Sequence, residues 1–327
     1  MQYTILGKTG LEVSRICLGM MSYGNLQDWY LELDDARPLI KKALDLGINF
    51  FDTANVYSSG RSEEITGELL KEHRDDVVIA TKVFFPPQGY EARGKPNKSG
   101  LSRYHIARAI DDSLTRLGLD HVDLYQIHRL DPRLPVGEIL RSLNYLIDQG
   151  KTLHIGASSM FAWQFTKSLW MAERHGLEPF RTMQNHYNLA YREEEREMMP
   201  LCHDQVIGVI PWSPLGRGFL SGKYKRSATA DSVRARSDQY LKGRYFQPED
   251  FDVVERAAEV AAEKGVTPAQ IALAWLFSKE YVTAPILGAT KMQHLEEAVD
   301  AIELKLSADD IKRLEELYKP HPILGHS

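Results

Sequence analysis

The chain has 327 residues, 43% of them apolar and 26% charged, with a formal net charge of −5. That length can bury the core of one large α/β domain or two ordinary ones, and the scattered, mildly acidic charge leaves no footprint for nucleic acid. No run of about 18 apolar residues spans a bilayer, MQYTILGKTG lacks a signal-peptide stretch, and Cys17 and Cys202 form neither a CxxC pair nor a secreted disulfide framework, so a cytoplasmic setting is expected.

In chain order, YTILGKTGLEVSRI predicts a small hairpin turning at Gly7-Lys8-Thr9-Gly10 and closing one end of the fold. ICLG (16–19) is the first strand, followed by a helix over Asp34–Leu46 with Ala36, Leu39, Ile40, Ala43 and Leu44 near one face. INFFD (48–52) is the second strand. The helix Ser62–Leu70 follows it, with Glu63 and Glu64 in the first turn, where the helix dipole favours carboxylates. VVIATK (77–82) precedes a helix over 102–117 whose Ser102 reads as an N-cap. VDLYQIH (122–128), LHIGAS (153–158), TMQNHY (182–187), VIGVIPW (206–212) and VTAPILGA (282–289) complete eight strands. Helices are expected between them over Glu138–Ile147, Phe161–His175 and Glu193–Cys202, with an extra pair, Phe251–Lys264 and Pro268–Ser278, before the last strand. Met292–Ile302 and Ala308–Tyr318 close the chain ahead of the tail KPHPILGHS.

Eight alternations with no long linker predict a (β/α)8 TIM barrel, a single domain over residues 1–327. Near-continuous apolar strands suit parallel strands buried on both faces. A doubly wound two-domain protein fits less well, because no glycine-rich turn follows the first strand. The long segments 84–101 and 215–249 fall in loops after strands and are candidate lids.

Several chemistries are set aside. Gly7-Lys8-Thr9 is not a phosphate loop, which needs a glycine where Gln2 stands. Gly216, Gly218 and Gly222 lack dinucleotide-fingerprint spacing, and neither HExxH, a His/Cys cluster nor GxSxG occurs, so no metal is expected.

In a barrel, polar residues at the C-terminal ends of strands converge on one mouth. Asp52 ends the second strand with Tyr57 close behind, Lys82 ends the third, and His128 the fourth. Ser158 and Ser159, Gln184 and Asn185, Trp212 and Ser213, and Gly288 and Thr290 end strands five to eight. Each alone has an ordinary role: a turn cap, a packing ring, a solvated amine, a barrel histidine. Together they define a mechanism. A buried Lys82 needs a counter-ion, which Asp52 supplies. Its ammonium beside Tyr57 is expected to lower the phenol pKa and make a general acid, while His128 orients a carbonyl.

These residues lie in LGKTGLEVSRICLG, GINFFDTANVYSSGRSEEITG, VVIATK, SLTRLGLDHVDLYQIHRLDP, HIGASS, QNHYNL, PWSPLGRGFLSGKY and PILGATKMQHLEEAV, an ordered set that resembles the aldo-keto reductases over nearly the whole chain. The likeness is to the longer-looped bacterial, fungal and potassium-channel-β-like branches. It implies a catalytic tetrad of Asp52, Tyr57, Lys82 and His128 and hydride transfer from NADPH (NADP+ when oxidised), with NADH also possible, to an aldehyde or ketone.

The resemblance further places Ser158, Ser159 and Gln184 at the carboxamide and Trp212 against the nicotinamide, with Gly19, Met20, Met21 and Asp52 beside the cofactor. Ser213, Pro214, Leu215, Gly216, Gly218 and Lys223 would clasp the pyrophosphate, Arg234 or Arg236 would reach its phosphates, and Gly288, Thr290, His294 and Glu297 would hold the adenosine end. Relatives often carry Gln or Arg in place of His294 and usually Asn in place of Ala298. The available arginines still favour NADPH, since bidentate pairing suits a 2′-phosphate.

Tyr23, Trp29, Phe84 and Phe85, with Met20 and Met21, fall in mouth loops and predict an apolar-walled pocket for an aromatic or medium-sized carbonyl compound. The expected partner is that small molecule; neither nucleic acid nor membrane is expected, and a homo-oligomer stays open. Two competing functions are a nucleotide-binding regulatory subunit of the channel-β type, against which the intact His128 counts, and a hydrolase using Asp123 and Asp131.

Overall fold

The computed structural model describes residues 1–87, 95–224, 226 and 245–326. Two short antiparallel strands, β1 (Tyr3–Ile5) and β2 (Glu12–Ser14), form the expected hairpin. Its turn uses Gly7 at φ 53° and Gly10 at φ 77°. Gly7 also needs to lack a side chain, because a Cβ there would meet the Gly208 nitrogen at 2.6 Å and the Arg181 carbonyl oxygen at 2.8 Å. The hairpin is thereby seated against the barrel backbone.

Eight parallel strands follow: β3 (Cys17–Gly19), β4 (Phe50–Asp52), β5 (Val78–Val83), β6 (Val122–Ile127), β7 (Thr152–Ser158), β8 (Thr182–Gln184), β9 (Gly208–Val209) and β10 (Ile286–Leu287). They pair in sequence order, with β10 beside β3. Parallel bridges Val209–Val282 and Trp212–Ile286 bring the last two strand segments together and close the ring of a (β/α)8 barrel.

Two apolar layers hold it. Leu6 and Val13 of the hairpin pack inside the barrel with Cys17, Phe50, Val78, Ala80, Leu124, Ile210, Ala284 and Ile286, filling its bottom end. The outward strand residues, such as Leu18, Phe51, Ile79, Tyr125 and Ile155, meet the surrounding helices in the larger core. Every residue of β4, β5 and β6 is buried, as parallel strands covered on both faces require.

The helices are α1 (Leu33–Asp45), α2 (Arg61–Leu70), α3 (Arg103–Leu117), α4 (Val136–Asp148), α5 (Ala162–His175), α6 (Met198–Gln205), α7 (Pro248–Lys264), α8 (Pro268–Phe277), α9 (Met292–Glu303) and α10 (Ala308–Glu315). Ser102 caps α3 as expected, accepting the His105 N–H at 3.2 Å. No helix among the described residues is long and apolar enough to cross a membrane.

Three strand expectations are too long. Continuous ladders cover only Thr182–Gln184, Gly208–Val209 and Ile286–Leu287, with isolated parallel bridges His186–Trp212 and Trp212–Ile286 beyond them, and the last two runs contain Pro211 and Pro285, which have no N–H to donate. The helix expected over 193–202 is a 3₁₀ turn, Glu193–Arg196, followed by α6, with Glu197 non-helical between them (φ −139°, ψ −50°). Glu193 and Glu194 turn inward there to hold other segments. Glu63 and Glu64 lie in the first turn of α2 as expected, and Glu63 has a further role. Its side chain is wholly buried in α2, taking a 2.5 Å hydrogen bond from Thr81 and a 2.6 Å one from Arg116. It ties the helix after Tyr57 to the strand that carries Lys82.

Candidate active site

The register of the parallel ladder assembles the mouth. Gly19 lies beside Asp52, Lys82 beside Gln126, Gln126 beside Gly156, and Ser158 beside Gln184. Side chains ending neighbouring strands therefore meet above the apolar plug.

At the centre, Lys82 is 0% and Asp52 1% exposed. The Lys82 ammonium donates to Asp52 Oδ2 at 2.5 Å, to the Thr53 carbonyl at 2.7 Å and to the Tyr57 hydroxyl at 3.3 Å. All three of its N–H bonds are thus directed. Burial disfavours the charge, but Asp52 and Tyr57 outweigh it, and the lysine pKa lies above its ordinary value. The second Asp52 oxygen accepts from Gln126 at 2.8 Å and Gln184 at 3.1 Å. Every carboxylate contact is a hydrogen bond, the condition under which a buried ion pair is tolerable.

Tyr57 opens the 3₁₀ turn Tyr57–Gly60, in which Ser58 and Ser59 take left-handed backbone angles (φ 47° and 56°). Its pKa runs opposite to the expectation from Lys82 alone. Burial raises it, Lys82 lowers it, and the net direction is upward. His128 sits edge-on to Tyr57 with ring centres 5.8 Å apart and to Phe85 at 5.1 Å. Burial first, then Lys82 and Arg129, hold its pKa well below the usual histidine value, so its ring is neutral. Its Nδ1 is buried without a hydrogen-bond partner among the described residues.

The other expected positions divide by location. Ser158 donates to the Gln184 carbonyl at 2.7 Å, and Ser159, left-handed at φ 52°, has its N–H held by the Asn185 side chain at 2.8 Å. Trp212 donates from its indole N–H to Ser159 Oγ at 3.2 Å. Behind it lies His186, stacked at 4.2 Å and 10° on Trp212 and at 4.2 Å and 12° on Tyr191. Ser213, also left-handed, gives its carbonyl to Asn188 at 2.9 Å, and Pro214 and Leu215 lead into the turn Gly216–Ser221, which contains Gly218. Lys223 is exposed beyond that turn. Gly288 is exposed after β10, Thr290, His294 and Glu297 are half-buried, and Ala298 is buried in α9. Met21 is half-buried, whereas Gly19 and Met20 are buried. Arg234 and Arg236, with the neighbouring Lys242 and Arg244, lie outside the described residues.

Among the pocket candidates, Phe85 packs against His128 and Phe84 edge-on against Phe85 at 5.0 Å. Trp29 packs edge-on against Tyr30 at 4.5 Å. Tyr23 corrects the expectation. It is fully buried and its hydroxyl donates to the Ala289 carbonyl at 3.1 Å, so it joins the core and presents no face to a pocket. Asp123 and Asp131 do not converge as a pair. Asp123 is bound to Arg74 and the Ile79 N–H, Asp131 to Arg133 and the Leu101 N–H.

Sequence reasoning missed Gln126, His186 and Glu194, and named Asn185 only as a polar strand-end residue without a role. The available signal was polarity inside otherwise apolar, buried strand runs, since a buried amide or carboxylate must find a partner. Asn185 donates to Glu194 at 2.5 Å, and Glu194 in turn meets His326 of the tail at 2.9 Å. The tail is docked, with the Leu324 N–H on the Tyr191 hydroxyl at 2.9 Å and His321 paired with Asp250 at 2.9 Å.

The model of the aldo/keto reductase family matches residues 15–319. The chain is 41% identical to versiconal hemiacetal acetate reductase of Aspergillus parasiticus, an alignment covering 99% of this chain and 98% of that protein. It is 40% identical to an aldo-keto reductase of Fusarium vanettenii, covering 99% and 93% respectively. A Schizosaccharomyces pombe protein named as a candidate aryl-alcohol dehydrogenase is 42% identical, covering 99% and 97%. With the barrel and the assembled mouth, these similarities identify the chain as an oxidoreductase that belongs to the aldo/keto reductase family.

Proposed function

We propose that this chain, as one barrel domain, reduces aldehydes or ketones to alcohols with NADPH, and that Tyr57 is the general acid. One observation carries the reading: Tyr57 oxygen accepts an N–H from Lys82. A hydroxyl oxygen that accepts on its inner side has its own O–H free to point outward.

The site's features suit a nicotinamide dinucleotide. The Trp212 ring is stacked on His186 and its indole N–H is bonded to Ser159 Oγ, which fixes the plane of a partly exposed aromatic at the mouth. Ser159 sets a polar group beside it, and Ser158 joins Gln184 at the neighbouring strand ends. Among the described residues nothing lies within 4 Å of where a Cβ on Gly218 would stand, which suits a loop expected at the phosphates. When bound, the reduced cofactor supplies hydride to the carbonyl carbon.

The remaining chemistry belongs to the chain. Tyr57 passes its proton to the carbonyl oxygen and is left as phenolate. Lys82 stabilises that anion at short range in a water-poor site, where electrostatic help is strongest. Asp52 keeps the ammonium in place. Burial keeps Tyr57 protonated before reaction, the form an acid must have. Neutral His128, partly exposed beside Tyr57, would orient the carbonyl through its ring. Phe85 and Phe84 supply apolar surface beside it, in keeping with an aromatic or medium-sized substrate.

The test is absorbance at 340 nm with NADPH, then NADH, over aromatic and aliphatic aldehydes. Tyr57→Phe is expected to lower kcat by about 10²–10⁴-fold, the usual worth of a positioned acid. Tight cofactor binding without turnover over the whole panel would favour a regulatory subunit instead.

A further inference from the structure

The tetrad residues account for one side of Asp52. The other side is held by two amides with no role in the proposed proton transfer. Gln126 is 0% and Gln184 3% exposed. Gln184 Nε2 donates both to Asp52 Oδ1 and to Gln126 Oε1, each at 3.1 Å. That second bond fixes the Gln126 amide with its oxygen toward Gln184, so its Nε2 faces Asp52 at 2.8 Å. The three side chains form a closed triangle, with each amide assigned by the bonds it makes.

The backbone makes room for this triangle. Gly156 lies beside Gln126 in the ladder. A Cβ there would meet Thr182 Oγ1 at 2.2 Å and Gln126 Cγ at 3.0 Å. Gln126 is also in register with Lys82, one strand away. Its stem therefore stands between the strand that bears the lysine and the one that bears Ser158.

From this geometry we infer that Gln126 is a positioning residue that sets the field Tyr57 experiences. An N–H donated to a carboxylate draws its charge toward the donor. With Gln126 and Gln184 on Oδ1, Asp52 neutralises Lys82 less completely, and more of the ammonium's field reaches the tyrosine oxygen 3.3 Å away. Without Gln126, Oδ1 keeps only the longer Gln184 bond, more of the Asp52 charge acts on Lys82 and Tyr57, and the phenolate becomes harder to form. This inference rests on Tyr57 being the acid.

The experiment measures pH profiles of NADPH-dependent reduction and NADP+-dependent alcohol oxidation for the wild type and Gln126→Met, which keeps the length and removes the donor. The limb that reports Tyr57 ionisation is expected to move about one pH unit upward, so that oxidation at a fixed pH below it slows roughly tenfold. Cofactor binding by tryptophan fluorescence confirms that the variant is folded. Gln126→Glu serves where the apolar variant does not fold, and its added carboxylate is expected to move the limb in the same direction. A variant that binds cofactor but loses rate equally at every pH overturns the inference, as does an unmoved limb. Tyr57→Phe separates the two readings. If it stays active, the proposed acid falls and the role of Gln126 with it; if it is inactive while the Gln126→Met limb stands still, only the inference fails.

Discussion

Lys82 Nζ lies 3.3 Å from the Tyr57 hydroxyl and 4.8 Å from the centre of its ring, while its shortest contact, 2.5 Å, is to Asp52. The ammonium is thus bound tightly to one anion and loosely to the group that must become one. That asymmetry makes an immediate prediction. Lys82→Met leaves Asp52 buried with amide partners only, and removing one member of a buried pair typically costs about 3–5 kcal/mol. The double variant Lys82→Met/Asp52→Asn is expected to recover much of that loss without recovering activity. Urea titration of the three proteins measures it, and a double variant no more stable than the single one would contradict the buried-pair account.

Acid is expected to destabilise the fold through its buried histidines. Burial lowers the pKa of His105, His128 and His154, with Lys82 and Arg129 adding to the effect at His128. A neutral buried histidine takes up a proton on unfolding once the pH drops below about 6.5. Here the unfolded chain binds more protons, so stability rises with pH through that window. His105→Gln, which removes one such group outside the mouth, is expected to flatten the slope of unfolding free energy against pH between about 5 and 7. An unchanged slope would show that other groups set it.

The tetrad was legible because Asp52, Lys82 and His128 break apolar runs at the ends of strands, where the barrel brings neighbours together, and Tyr57 follows Asp52 by five residues. Gln126 breaks its run too, but one position before the strand ends, and a lone amide there carried no visible partner. Its contacts come from Asp52 and Gln184, each more than fifty positions away. Tyr23 misled for a related reason. An aromatic after the first strand reads as a pocket wall, yet its hydroxyl finds the Ala289 carbonyl just after the neighbouring strand β10, a partner that only barrel closure supplies. The sign of the Tyr57 shift was likewise invisible, since the lysine is readable in one dimension and the depth of burial is not. Strand lengths were overestimated because the apolar, β-branched pattern runs on past the residues that pair continuously, on both sides of Pro211 and Pro285.

Close packing around the site is testable at Gly67, in the helix that follows Tyr57. A Cβ there would sit 1.9 Å from the Leu117 carbonyl oxygen, a backbone atom that cannot rotate away. Gly67→Ala is expected to push α2 from α3 and cost about 3 kcal/mol or more, despite alanine's better helix propensity. Thermal unfolding measures it. A stabilised variant would mean that the two helices separate freely.

The C-terminal tail gives the last prediction. His321 donates its backbone N–H to Glu193 and pairs through its ring with Asp250, and His326 meets Glu194, which in turn holds Asn185 and, through it, the Ser159 N–H. The tail is therefore two hydrogen-bonded side chains away from the polypeptide expected beside the carboxamide. The Asp250 contact raises the His321 pKa, against a smaller opposing effect of burial. Folding then favours the protonated ring, so this stabilisation is complete below the ordinary histidine value and is lost as pH rises through the raised one. Deleting 319–327 is expected to leave Glu193 and Glu194 short of partners, lower the melting temperature by several degrees, about 1–2 kcal/mol, and raise KM for the cofactor more than it lowers kcat. His321→Gln tests the pH dependence separately. Its hydrogen exchange over 319–326 is expected to be nearly the same at pH 6 and pH 8, whereas in the wild type the tail exchanges faster at pH 8 after correction for intrinsic rates. Equal pH responses in the two proteins would place the latch elsewhere, on Glu193 and Tyr318, whose 2.6 Å hydrogen bond involves no histidine.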